Sequence, residues 1–369
     1  MVIFSFFSGV GMLDLGFQET GANIVFVNEY QQKFLDSYIY ARRNRQYPHP
    51  RYGYHVGDIN QFLNSPHDGE FQQYIDDARK RNEKIGFIGG PPCPDFSVGG
   101  KNRGREGENG KLAKSYVDMI KRYRPDFFLF ENVKGLVKTQ KHKEYFNELK
   151  QLLKLNGYIL SDSVLNALSY GVPQDRDRII MIGVLQYSEL AHQVIVLKQE
   201  FAFPWDKKSS YDKDLIKQMK WPTHQPYIEN SRRNFRYQVP RELTVEHWFR
   251  RNRVYNHVNS SDIFRVRSGL NKMNTIHEGD TSRKSFKRLH RWRYSPTAAY
   301  GNNEVHLHPY QTRRLSVAEA MAIQSLPEWF ELPDNISLSL KFKMIGNGVP
   351  YLVSRRLAET IFEIWEEIR

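Results

Sequence analysis

Four side chains in this 369-residue sequence, a thiol, a carboxyl and two guanidiniums, have types and settings that could do chemistry together, and each stands near a turn of the chain. Cys93, the only cysteine, lies in Gly89-Gly90-Pro91-Pro92-Cys93-Pro94-Asp95-Phe96-Ser97. Prolines and glycines fix an exposed turn there, and a thiol at its tip is accessible. It becomes a nucleophile near neutral pH only if nearby donors or cations lower its pKa from about 8.5. Glu131 ends the apolar run of Leu129-Phe130-Glu131-Asn132-Val133. A carboxylate at the mouth of a hydrophobic strand is desolvated, which raises its pKa and lets it hold a proton to donate. Arg176 and Arg178 close Gly171-Val172-Pro173-Gln174-Asp175-Arg176-Asp177-Arg178. Two residues apart in extended backbone, they project to one side, which suits gripping a carbonyl or phosphate oxygen. Each group also has a plain structural reading: a turn that contains a cysteine, a strand-end carboxylate in water, and surface arginines paired with Asp175 and Asp177.

The elements that must carry these groups are legible as short apolar runs alternating with amphipathic stretches, the pattern of a parallel sheet covered by helices. Strands are expected at 2–7, 23–28, 85–88, 126–131, 158–165 and 178–184. In an open sheet of this kind the ligand site lies beyond the carboxyl ends of the strands, and the polar or glycine-containing turns are there. Phe4-Ser5-Phe6-Phe7-Ser8-Gly9-Val10-Gly11 is a strand entering a glycine turn, with a helix from about Met12. Glycines let backbone approach a cofactor, although the full dinucleotide spacing is absent. Glu29 in Asn28-Glu29-Tyr30 could hold ribose hydroxyls, and Asp58 in Gly57-Asp58-Ile59 could accept from an adenine amino group; a solvated turn is the alternative for each. Residues 99–110 carry five glycines among charged residues and read as an active-site loop or a solvated connection. A helix over 315–325 should start at Ser316, with Glu319 completing a capping box, and 351–368 should form a final helix.

Composition narrows the class. The chain has 40% apolar and 14% aromatic residues, enough for a sizeable core. One cysteine excludes an intramolecular disulfide framework and a cysteine-rich zinc site. No apolar run approaches a membrane span and no secretory layout opens the chain, so a cytosolic protein is expected. The net charge of +13 is regional: 231–314 holds 18 Lys and Arg against 6 Asp and Glu. That favours a polyanionic partner for this part of the chain, where periodicity also weakens over 201–314.

Taken together in this order, the motifs resemble those of the DNA cytosine-5 methyltransferases, especially the bacterial enzymes of restriction–modification systems. The resemblance rests on the glycine turn, Asn28-Glu29-Tyr30, Gly57-Asp58-Ile59, Pro91-Pro92-Cys93, Glu131-Asn132-Val133, Gln174-x-Arg176-x-Arg178, Arg314-Leu315-Ser316 through Ile323-Gln324, and Gly346-Asn347-Gly348-Val349. It implies an α/β fold with a doubly wound, mostly parallel sheet of the S-adenosylmethionine-dependent methyltransferase type. A catalytic domain of 1–200 plus 315–369 would carry a smaller target-recognition domain at 201–314, with the final helix beside the first motif. A monomer is expected, with double-stranded DNA in the cleft, an endonuclease acting separately, and the bacterial cytosol and nucleoid as location. Transfer RNA methylation and a catalytically silent DNA-binding relative are the alternatives.

The resemblance also assigns residues. Cys93 would add to carbon 6 of a flipped-out cytosine. Glu131 would hold and protonate ring nitrogen 3 while Arg178 binds the carbonyl oxygen at carbon 2, and Arg176 is expected beside them among the catalytic residues. S-adenosylmethionine would lie against Phe7, Gly9, Gly11, Glu29, Tyr30, Asp58, Ile59, Pro92 and Asn347. DNA contacts are expected from Ser97, Arg283, Lys284, Arg288, Arg291, Arg293 and Thr297, the last in Ser295-Pro296-Thr297-Ala298. No metal is needed; His306 and His308 are expected in structural or DNA-facing roles. Three positions depart from the family pattern: Ser5 where Asp is frequent, Met12 where a further Gly is common, and Pro94 where Gln usually follows the nucleophile.

Overall fold

The computed structural model describes residues 1–92, 108–186, 202–265, 270–283, 285–297, 300 and 305–366. Uninterrupted apolar runs build the central strands: β1 (Val2–Phe6), β2 (Asn23–Glu29), β4 (Ile85–Gly89) and β5 (Phe127–Val133) are buried over almost their whole length. Strands without a polar face need cover on both sides of the sheet. With β3 (Tyr54–Val56), β6 (Tyr158–Asn166) and β7 (Asp177–Leu185) they make a seven-stranded sheet in the order β3-β2-β1-β4-β5-β7-β6. On one face, α3 (His67–Lys80), α4 (Glu108–Tyr123) and α5 (Gln140–Leu155) pack on a phenylalanine-rich layer that includes Phe4, Phe6, Phe71 and Phe87. On the other, α1 (Met12–Glu19), α2 (Gln32–Arg42) and the C-terminal helix, running Tyr351–Glu366, cover Ile3, Val27, Ile88 and Leu129.

All six expected strands are present. The sheet is mostly parallel, as expected, and two of its features carry no local signal in the sequence. The edge strand β3 is three residues long with no fully buried residue, too short to show a period. Strand β7 runs antiparallel to both β5 and β6, and its all-apolar interior carries no sign of direction. This inversion matters for the site, because it brings the start of β7 to the carboxyl end of β5, pairing Val133 with Arg178.

Register puts the active residues in one row. Phe6 lies opposite Asn28 on one side and Gly89 on the other, and Gly89 lies opposite Phe130. The next residues along, Phe7, Glu29, Gly90 and Glu131, therefore stand at one level, where β1 and β4 end while β5 continues to Val133. Between β1 and β4 the chain order reverses, which opens the crevice where ligands of such sheets bind.

Beyond 202 the elements are short: α6 (Lys213–Gln218), α7 (Val245–Arg251), α8 (Leu270–Asn274) and the two-residue pair β8 (Lys287–Arg288) and β9 (His306–Leu307). They hold to the rest through shared apolar clusters. Ile216, Trp221, Val239 and Leu243 pack with Leu168, while Val245, Trp248 and Phe249 pack on Ala318 and Ala322 of α9 (Val317–Ile323). Helix α9 starts at Ser316 with the expected reciprocal capping box to Glu319. It is followed by α10 (Leu338–Asn347) and by α11, the C-terminal helix already described.

Candidate active site

The turn after β1 is held in left-handed backbone at Phe7, Gly9 and Gly11, with φ of 53°, 58° and 75°. The two glycines serve different ends. A Cβ on Gly9 would meet nothing within 4 Å, so its face is open. A Cβ on Gly11 would stand 2.3 Å from the Tyr38 ring, so that glycine is dictated by packing. Arg42 lies over Tyr38 at 3.7 Å and donates to the carbonyls of Gly11 (2.7 Å) and Val10 (3.2 Å). Asp14, fully buried, accepts from Ser5 Oγ (2.9 Å) and Tyr38 Oη (3.0 Å). Ser5 thus braces the turn from beneath. Asp14, Tyr38 and Arg42 form a support that sequence reading missed, because their partners are distant along the chain.

Glu29 is the anchor of the crevice. Its carboxylate accepts from Gly9 N (2.8 Å) and Gln31 N (2.9 Å), while burial pushes its pKa up against these donors. Tyr30 next to it is 68% exposed. Asn28 donates to the carbonyls of His55 and Gly57, tying the end of β2 to the Gly57-Asp58 turn. Asp58 is exposed and caps the turn that follows by accepting from Asn60 N (2.8 Å), and the Ile59 side chain is in the core. Pro92 is exposed beside Pro91, whose carbonyl accepts from Asn132. Asn347 is exposed at the end of α10. A Cβ on the adjoining Gly348 would stand 2.2 Å from Met12 Sδ, so Met12 fills the space at this junction. The C-terminal helix reaches α1 as expected, with Ser354 Oγ donating to Leu13 O.

Glu131 is buried, and Arg178 Nε stands 2.9 Å from its Oε1. Burial pushes the Glu131 pKa up, while the Arg178 and Arg176 charges oppose that rise. Gly90 lies so close that a Cβ there would be 2.7 Å from Glu131 Oε2. Arg176, also buried, donates to the carbonyls of Gly346 (2.6 Å) and Gly348 (3.1 Å). It therefore fixes the segment that carries Asn347, which corrects its expected place beside Arg178 as a group facing the substrate.

Next to this pair is a cleft of about 310 Å³ whose lining includes Arg178, Lys134, Asp175, Asp177, Lys217 and Thr297. Asn166 donates to both carboxylates, Asp175 at 2.7 Å and Asp177 at 2.8 Å. Lys217 and Lys134 pair with the same two residues. Thr297 Oγ1 donates to the Asp175 carbonyl, and Ser295 exchanges backbone hydrogen bonds with Pro173 and Asp175. The Thr-containing element is thereby lashed to the Arg178 strand. Lys217 was not anticipated; it lies in a weakly periodic stretch without a local signal.

Cys93, Ser97, Lys284 and the expected loop as far as residue 107 lie outside the described residues. Of the remaining basic candidates, Arg283 is half exposed near Asp280 and Arg293 is half-buried over Tyr294. The other two expectations are overturned. Arg288 is fully buried, donating to the carbonyls of Ile276, Met273 and His308. Arg291 is buried in a bidentate pair with Glu278 at 2.7 and 2.9 Å. Neither guanidinium is presented to a partner.

Comparison with known proteins agrees with this architecture. The family model for the C-5 cytosine-specific DNA methylase matches residues 1–363. The chain is 51% identical to the Type II methyltransferase M.NmeDI of Neisseria meningitidis serogroup C, over 98% of this chain and 83% of that protein. It is 32% identical to M.MthTI of Methanothermobacter thermautotrophicus, over 98% and 97%. Among solved structures, an E. coli prophage protein ascribed to the DNA modification methyltransferases superposes with a TM-score of 0.64 at 22% identity, covering 99% of each chain. S. pombe Dnmt2 methyltransferase superposes at 0.59 with 13% identity, covering 100% of this chain and 99% of that one; at such identities these two likenesses speak for the fold. The level row of strand ends, the glycine turn and the family match together mean that this chain belongs to the C-5 cytosine-specific DNA methylases.

Proposed function

We propose that the enzyme methylates carbon 5 of a cytosine within one short sequence of duplex DNA, through a covalent adduct of Cys93, as the modification partner of a restriction endonuclease. The observation that supports this most is the single row of Phe7, Glu29, Gly90 and Glu131, level with the carboxyl ends of β1, β2 and β4. The crevice suits S-adenosylmethionine. Gly9 leaves an open face above its backbone, the buried Glu29 carboxylate would meet the ribose hydroxyls, and the exposed Tyr30 ring, the Asp58–Ile59 turn, Pro92 and Asn347 would supply the remaining contacts. When bound there, it supplies an electrophilic methyl group.

The chain's own groups make carbon 5 able to accept it. The Cys93 thiolate forms a bond to carbon 6, and the electron pair of the 5,6 double bond moves into the ring toward nitrogen 3. Glu131, kept protonatable by burial, gives its proton to nitrogen 3, and Arg178 holds the carbonyl oxygen at carbon 2. Carbon 5 is then an enamine carbon and can form the new carbon–carbon bond. Loss of the carbon 5 proton, departure of the thiolate and return of the nitrogen 3 proton to Glu131 restore the neutral aromatic ring and the resting enzyme. Arg176 acts as a positioning residue through the Gly346–Gly348 segment, and Thr297 lines the cleft into which the base would turn.

In this reading 1–200 with 315–369 is the catalytic domain and 201–314 the recognition domain of a monomer of the bacterial cytosol. The test is transfer of labelled methyl groups from S-adenosylmethionine to long unmethylated duplex DNA, with bisulfite sequencing of the product. Methylation confined to one motif and abolished in Cys93→Ser is expected. Transfer to transfer RNA in place of DNA would overturn the reading.

A further inference from the structure

We infer that Arg232, Asn234, Arg236 and Gln238 form the ridge that reads the bases of the target sequence; the inference rests on the reading of 201–314 as the part that meets DNA. From Ser231 to Gln238 the chain has no helix or ladder and alternates strictly in exposure: Arg232, Asn234, Arg236 and Gln238 are exposed, and Ser231, Arg233, Phe235 and Tyr237 are turned in. That is the two-residue period of extended backbone. The outward set has one composition. Arg forks onto the acceptors of guanine, and Asn and Gln pair bidentately with adenine, the side chains best suited to base edges in a major groove. Alternate side chains on such a segment stand about 7 Å apart, on the order of two base-pair steps.

The inward set makes the ridge rigid. Phe235 packs edge-on against the buried Trp292 at 5.3 Å, and Tyr237 against His290. Arg233 donates to Gln225 and to the Pro226 carbonyl, and Arg291, clamped on Glu278, donates to Ser231. Among the described residues none gives a side-chain hydrogen bond or ion pair to any of the four outward groups. Unpaired donors on a fixed backbone are the arrangement a base-reading surface needs. The ridge also belongs with the cleft. Phe235 and Tyr237 pack on the cluster of Ile216 and Trp221, and Ile216 is in the helix whose Lys217 lines the cleft beside Arg178. By contrast, the basic residues that stand out in the sequence further on, Arg288 and Arg291, are spent on internal carbonyls and Glu278.

The experiment methylates a duplex library with randomised sequence and reads every methylated cytosine with its flanks. It compares wild type with Arg232→Ala, Asn234→Ala, Arg236→Ala, Gln238→Ala and Arg236→Lys, each first checked for an unchanged Tm. The expected result is that at least two of the alanine variants lose about tenfold to a hundredfold in discrimination at one position of the motif each, leaving the other positions intact. Arg236→Lys should fail to restore it, since an ammonium lacks the fork. A uniform loss of activity across all sequences, repaired by Arg236→Lys, would make the ridge a phosphate contact and overturn the inference, as would a motif unchanged in all four variants. Should the wild type show no sequence-confined methylation, it is the underlying reading that fails.

Discussion

At the scale of single residues, the proposed chemistry turns on how burial and charge compete at Glu131. Desolvation pushes its pKa up from the ordinary carboxylate value while Arg178, 2.9 Å away, pulls it back, and burial wins. A raised pKa means the proton is held below that value and lost as pH rises through it. Glu131→Gln keeps a hydrogen-bond donor but has no proton to give, so single-turnover methyl transfer should fall by about 10²–10⁴-fold. The ratio of wild-type to variant rate cancels the ionisation of Cys93, and this ratio should shrink as pH climbs through the Glu131 pKa. A ratio flat across pH 5–9 would show that Glu131 does not act as an acid. Residue types at strand ends made Glu131 and Arg178 legible beforehand. The direction of a side chain was not: Arg283 and Arg288 read alike in the sequence, yet one is solvated and the other lies among backbone carbonyls. Ser5 shows the same limit. It departs from the family pattern, and its compensation, Asp14 with Tyr38 and Arg42, is visible only once α1 and α2 are packed together.

At the scale of elements, buried apolar runs located the strands and the capping box located the start of α9, because both are local signals. The direction of β7 depends on which neighbour it pairs with, and no local signal carries that. Packing between elements is similarly non-local, and Gly16 illustrates its consequence. In a helix interior an alanine is favoured over glycine by about 1 kcal/mol, so propensity alone predicts that Gly16→Ala stabilises. A Cβ there, however, would stand 2.2 Å from Ser354 Oγ and 2.4 Å from Arg355 N on α11. A backbone nitrogen cannot rotate aside, and overpacking of this kind costs about 1–3 kcal/mol. The clash should win, giving a net loss of about 1–2 kcal/mol in urea melts. Ser354→Ala in the same chain should recover only part of it, since the Arg355 contact remains. A Gly16→Ala protein more stable than wild type would mean that α11 can slide, and that the approach of Asn347 to the crevice is not set by this contact.

For the whole molecule, the uneven charge is the property most easily over-read. Nearly all of the +13 falls in 231–314, whose 18 basic residues would, if every one met a phosphate, give binding that weakens with salt at a log–log slope of about −16. The fold removes several from that role. Arg288 serves four carbonyls, Arg291 is clamped on Glu278, Arg313 pairs with Glu319 and Arg314 lies over Phe264. These cations hold together a region poor in long apolar stretches, in which Trp292, Phe249 and Leu307 are among the fully buried large side chains. Others, in the reading above, face base edges, where they displace fewer counterions than at the backbone. About a dozen of the eighteen are then left at most for phosphates, and the dissociation constant for the cognate duplex, measured from 50 to 300 mM salt, should follow a slope no steeper than about −11. A slope beyond about −12 would mean that the inward guanidiniums open to DNA on binding, and that the buried Glu278 and Glu319 pairs are the contacts exchanged.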